Sequence, residues 1–129
     1  MTDMLTKIYE QLVVNPIIAV KCLNRIKYYN YPETADTDNP FIIIIPLDVP
    51  IPYSYGSDTD LSTEFIYQID VQSKDRKEVK IIQQQVKAEM KKLKFKQMRN
   101  GLDEYFEETG RYVDARRYTG VSDLYDTDY

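Results

Sequence analysis

Between Leu61 and Tyr118 the chain moves from a period of two, to a helical period, and back to extended segments, and that order limits what it can fold into. In Phe65-Ile66-Tyr67-Gln68-Ile69-Asp70-Val71-Gln72 the odd positions are apolar and three of the four even ones polar, which predicts a strand with one face in a core. Asp75, followed three residues later by Glu78, has the spacing of a capping box, so a helix is predicted to start there. Val79, Ile82, Val86, Met90 and Leu93 then recur at steps of three and four, one apolar stripe along about five turns. The stripe must lie on that strand's apolar face or on its neighbours'. Nothing in the stretch looks like an active site.

The other segments read as partners for this pair. Met4, Leu5, Ile8, Tyr9, Leu12 and Val13 keep the three-four spacing, predicting an N-terminal amphipathic helix over residues 3–14. Asn15 is suited to cap, and Pro16 to open, a second short helical piece lined by Ile17, Val20, Cys22 and Leu23. Arg25 to Tyr31 is aromatic and β-branched, and it stops at Pro32 as a strand or extended segment. Phe41-Ile42-Ile43-Ile44-Ile45 is apolar on both faces, so a central strand is expected, covered by a helix on one side and by another layer or a neighbouring subunit on the other. Residues 47–60, with Pro50, Pro52, Tyr53 and Tyr55, form a long connection that reads as an extended docking arm or as a surface loop. Lys94 to Phe106 alternates with a bulge or bend near Gly101, Glu107 to Gly110 is a turn, and Arg111 to Thr119 returns as a long hairpin.

The expected architecture is α+β: a small, mainly antiparallel sheet of about four to five strands, with an N-terminal helix and one long central helix packed on one face. One domain is expected over residues 1–119 and an acidic, flexible tail over 120–129. With 129 residues there is material for one hydrophobic core. The chain has no histidine and one cysteine, Cys22, which removes an internal disulfide, a His/Cys zinc set and every Ser-His or Cys-His nucleophile pair. No enzyme activity, cofactor or metal is expected. No apolar run is long enough to span a bilayer, and the start lacks a basic stretch followed by an apolar one, so neither membrane insertion nor a signal peptide is expected, and folding inside the cell is.

The net charge of −4 conceals a segregation. Residues 74–99 carry ten Lys or Arg against three acids, residues 100–129 eight acids against three Arg, and residues 1–73 ten acids against four bases. A basic middle between acidic ends suits contact between unlike faces of identical chains at least as well as contact with nucleic acid. The basic run Lys87, Lys91, Lys92, Lys94 and Lys96 admits a nucleic-acid reading. Against it, these lysines crowd the helix C-terminus, where cations offset the dipole, and no aromatic platform accompanies them. The acidic sets Asp58/Asp60, Asp103/Glu104/Glu107/Glu108 and Asp123/Asp126/Asp128 lack calcium-loop spacing and read as surface charge. Twelve tyrosines without a tryptophan favour contact surfaces, Tyr53 and Tyr55 among them. Arg116 and Arg117 fall on opposite faces of one strand, and at least one should find a carboxylate; with Tyr118 they form a candidate contact.

Several local sequences resemble the tail terminator, or tail completion, proteins of long-tailed siphophages. They are the first helix, Tyr29-Asn30-Tyr31-Pro32, Pro40-Phe41-Ile42-Ile43-Ile44, Tyr67-Gln68-Ile69-Asp70-Val71, the helix from Asp75, and Glu107-Glu108-Thr109-Gly110-Arg111-Tyr112 leading to Ala115-Arg116-Arg117-Tyr118. The resemblance covers most of residues 4–119, and its last two pieces are the most specific. It implies an α+β subunit with helices on one sheet face, assembled into a ring, usually hexameric, that caps the tail tube, stops its polymerisation and joins the tail to the head connector. The implied partners are copies of the chain, the major tail tube protein and the head connector or stopper. The resemblance further implies that DNA passes through without specific binding and that the place of action is the tail–head junction of the virion, after synthesis in the host cytoplasm. On this reading Arg116, Arg117, Tyr118, Lys87, Lys91, Lys92, Tyr53 and Tyr55 are candidates for subunit contacts, and Asp103, Glu104, Glu107 and Glu108 for the channel wall. The alternatives are a head-closure or adaptor protein of the same particle, and a nucleic-acid-binding α+β module that uses the basic helix.

Overall fold

The computed structural model describes residues 3–47, 51–52 and 63–121. Their elements, in chain order, are α1 (Met4–Val13), α2 (Pro16–Cys22), β1 (Ile26–Tyr28), β2 (Phe41–Pro46), β3 (Ile51–Pro52), β4 (Thr63–Ser73), α3 (Arg76–Lys92), β5 (Lys96–Gln97), β6 (Leu102–Phe106) and β7 (Arg111–Val121). The fold is α+β, with one sheet and three helices. Strand order is β1-β2-β4-β7-β5, with β3 also on β4 and β6 also on β7. β3 continues the lane of β2, and β5 and β6 share a lane along β7, so seven short and long strands make five lanes. That accounts for the expected four to five. Every pairing is antiparallel except β1 with β2, which the sequence analysis did not anticipate.

Local chemistry fixes the helix ends. The Asp3 carboxylate accepts from Thr6 N at 2.8 Å to open α1. Asn15 Oδ1 accepts from the backbone N–H groups of Ile17 and Ile18, with Pro16 at the first position of α2, as its sequence suggested. Asp75 caps α3 by accepting from Lys77 N at 3.0 Å. The other half of the expected box is different: Asp75 N donates to Ser73 Oγ, while Glu78 turns to Lys21 at 3.7 Å. Lys94 adopts φ 67°, and Phe95 N donates back to Met90 O, which closes the helix in a left-handed cap.

The core lies between one sheet face and the helices. Ile42, Ile44, Phe65, Tyr67, Ile69 and Val71 meet Ile8, Leu12, Ile18, Cys22, Val79, Ile82, Val86 and Met90, all buried. Each fully buried Ile or Leu here contributes about 2 kcal/mol by removal of its side chain from water. Burial pushes the Cys22 thiol up to about 12, which leaves it a space-filling group rather than a nucleophile. The alternation in β4 is as expected: Phe65, Tyr67, Ile69 and Val71 point to the helices and Ile66, Gln68, Asp70 and Gln72 point away.

The hairpin forms, with an irregularity and an extension. Lys96 and Gln97 pair with Thr119 and Tyr118, whereas Leu102 pairs with Ala115, so the four residues 98–101 face only Arg116 and Arg117. A side chain at Gly101 would place its first carbon 2.4 Å from Ala115 O, a backbone atom that cannot retreat without breaking the ladder. Gly101→Ala is therefore expected to cost about 2 kcal/mol in urea unfolding, a typical overpacking penalty. Beyond the turn, where Gly110 takes φ 69°, β7 runs to Val121 opposite Glu64, so the folded unit extends two residues past the expected boundary at 119. The rest of the acidic tail lies outside the described residues.

Candidate functional site

All three helices pack on one sheet face, and among the described residues no helix lies on the other. That open face is where the two-sided apolar strand matters. Phe41 is 1% exposed because Tyr31 stacks on it at 3.8 Å and the Arg111 guanidinium sits 5.5 Å from its ring centre. Ile43, Val113 and Ala115 on the same face are also buried. Across this apolar ground runs a polar seam. Arg117 Nε donates to Gln68 Oε1 at 3.1 Å, Gln68 Nε2 donates to Asp70 Oδ1 at 2.8 Å, and Arg111 Nε donates to Gln72 Oε1 at 3.2 Å.

Asp70 is the costly member of the seam. Burial raises its pKa, and the Gln68 hydrogen bond and the more distant Arg117 charge recover only part of that. A carboxyl whose folded pKa lies above its unfolded value of about 3.9 destabilises the fold once ionised, a cost absent below that value and complete above the folded pKa. Asp70→Asn is accordingly expected to raise Tm at pH 7 by about 2 °C, with the gain gone near pH 3.5; the small size reflects partial solvation.

On the helix side, between α3 and the hairpin, sits a charged cluster. Asp114, 3% exposed, accepts from Lys80 Nζ at 2.7 Å and from Arg116 Nε at 3.0 Å, and Lys80 also reaches Asp103 at 2.5 Å. Burial pulls the Lys80 pKa down, but the two carboxylates outweigh it and leave the ammonium more firmly charged than usual. Beside the cluster, Gln83 Nε2 donates to the carbonyls of Ile69 and Asp114, bridging β4 and β7 from above.

The structure sorts the sequence candidates. Arg116 and Arg117 do fall on opposite faces, and Arg116 has its carboxylate, but within the domain; it is a paired, part-buried residue rather than a free contact. Tyr118 is a correction: at 1% exposure it belongs to the core under α3, burial raises its hydroxyl to about 12, and it has no surface to offer a neighbour. Arg117 lies on the open face. Lys87 and Lys91 are exposed along α3, and Lys92 reaches back to Glu89 at 3.2 Å. Glu104, Glu107 and Glu108 are exposed on β6 and its turn, while Asp103 is tied to Lys80. Tyr53 and Tyr55 lie outside the described residues. Lys80, Gln68 and Asp70 were not singled out in the sequence; polar residues at 68 and 70 inside a long strand were the available signal.

Among the described residues no three His, Cys, Asp or Glu side chains converge as a metal site, and no helix is long and apolar enough to cross a membrane. Compared with protein-family models, with curated proteins and with solved structures, the chain matches none.

Proposed function

We propose that this chain is a structural virion subunit of the tail-terminator kind, whose copies close into a ring, hexameric on the family pattern. The ring caps the tail tube, stops its growth and joins the finished tail to the head connector at the tail–head junction. The observation that carries the reading is the one-sided architecture: helices on one face, and opposite them a sheet face of buried apolar residues crossed by the Arg117–Gln68–Asp70 seam. Head-to-tail assembly needs two unlike surfaces on each subunit, and on this face the part-exposed Ile66, Gln68, Asp70 and Arg117 supply mixed apolar and charged ground for one of them, over Phe41, Ile43, Val113 and Ala115, which the fold already covers. Exposed Lys87 and Lys91 offer cations to a neighbour or to the tube, and exposed Glu107 and Glu108 suit a wall past which DNA slides without being held.

A second reading draws on the same cations. Lys87, Lys91, Lys92, Lys96 and Arg99 are all exposed around the end of α3, as a DNA-binding module would have them. The two readings part on one experiment, in which the purified chain is added to polymerising tail-tube protein and tube length is measured by electron microscopy. Short tubes with a ring at one end are expected. Tubes of unaltered length, together with DNA binding that weakens steeply with salt, would replace the tail reading with the second.

A further inference from the structure

Both borders of the sheet end in strands with no strand beyond them among the described residues, β1 on one side and β6 on the other. The direction of their backbone groups can be assigned. Ile42 N donates to Arg25 O and Tyr29 N to Ile44 O, so residues 25, 27 and 29 turn toward β2, and Ile26 and Tyr28 turn outward; the Tyr28 carbonyl already accepts from Asn30 N at 2.7 Å, which leaves the Tyr28 N–H and both groups of Ile26 for a further strand. On the other border Met98 N donates to Arg117 O, so the odd residues of β7 face that way. Their opposite numbers Leu102, Glu104 and Phe106 spend their backbone groups in the ladder, and Asp103 and Tyr105 turn theirs outward.

We propose that β6 of one copy pairs with β1 of the next, carrying the sheet from subunit to subunit; this rests on the ring reading above and names its contact. With the helix side kept facing one way, β6 and the neighbour's β1 meet antiparallel, since β6 runs against β7 and β7 runs with β2 and β1. The register that uses both outward residues of each strand sets Tyr28 against Asp103 and Ile26 against Tyr105, and places Lys27 directly opposite Glu104. Both of these charges lie on the open face, Lys27 beside Ile43 and Glu104 beside Val113. Tyr28 and Tyr105, 37% and 50% exposed, come together on the helix side and lose water there.

The same geometry rejects the symmetric alternatives. β6 on β6, using Asp103 and Tyr105 of each, sets Glu104 against Glu104, and β1 on β1 sets Lys27 against Lys27. Directly opposed like charges are destabilising, which guards each edge against its own copy and leaves the unlike pair, the kind that closes rings. Glu104 is thereby moved from the channel wall to the contact.

Sedimentation of the full chain gives the concentration at half assembly. Glu104→Lys and Lys27→Glu are each expected to raise it about ten-fold, and the two exchanges in one chain to restore it to within about two-fold of wild type. Tyr105→Pro removes an outward N–H and no ladder bond, so it should leave the far-UV circular dichroism intact and prevent assembly. Single variants that assemble like wild type, or a double exchange that fails to recover, would overturn this contact and leave the ring reading standing on another surface. A wild-type chain that never assembles would overturn both.

Discussion

Glu89→Ala is expected to lower the free energy of unfolding by about 3 kcal/mol at pH 7, measured by urea titration, because it opens a buried polar knot from the centre. The Glu89 carboxylate, 4% exposed, accepts from Gln11 Nε2 at 2.6 Å, from Asn15 Nδ2 at 2.7 Å and from Lys92 Nζ at 3.2 Å. Asn15 in turn caps α2 and donates to Gln85, so one carboxylate ties α1, the start of α2 and α3 together. Alanine would take the acceptor from the Gln11 amide, leave the Asn15 amide with Gln85 alone, and free the cap to move. The pH dependence gives a second check. Burial pushes the Glu89 pKa up, but the hydrogen bonds from Asn15, Gln11 and Lys92 outweigh it and hold it below its ordinary value. Such a group stabilises the fold above its unfolded pKa of about 4.3, and the contribution is lost as pH falls through the lower folded value. The difference between wild type and variant should therefore be full at neutral pH and shrink in acid.

Arg116→Glu is expected to cost a similar amount, about 3 kcal/mol, in the fold rather than at a subunit contact. It removes the guanidinium from Asp114 and puts a second carboxylate beside a side chain that is 4% exposed, with Lys80 left to serve both and Asp103 as well. Arg117→Glu, at the next residue and on the opposite face, loses one hydrogen bond to Gln68 and should unfold within about 1 kcal/mol of wild type. Urea titration of the two variants separates the roles: equal, small losses would show that Asp114 tolerates a carboxylate neighbour and that the cluster contributes little.

The contrast between these two arginines shows where sequence pattern stops being informative. Adjacent residues in a strand must face opposite ways, so the split of Arg116 from Arg117 was legible. Which of them lies under a helix depends on how β7 pairs with β4, and that register is set by core residues far away in the chain. Tyr118 shows the same limit: an aromatic next to two arginines looks like contact surface until the register turns it inward. The caps at Asn15 and Asp75, the alternation of β4, the two greasy faces of β2 and the hairpin turn were legible because each is fixed by neighbours within a few residues. The knot at Glu89 was not, since its partners Gln11 and Asn15 stand 78 and 74 residues away. Nor was the parallel pairing of β1, a three-residue strand whose partner is chosen by the whole sheet.

On the proposed reading, copies of this subunit complete one another. The decisive experiment is sedimentation velocity of the purified full chain over a wide concentration range. One assembled species of fixed, ring-closing stoichiometry is expected to grow at the expense of monomer as concentration rises. A monomer at every concentration, or an open-ended series of ever larger species, would contradict it.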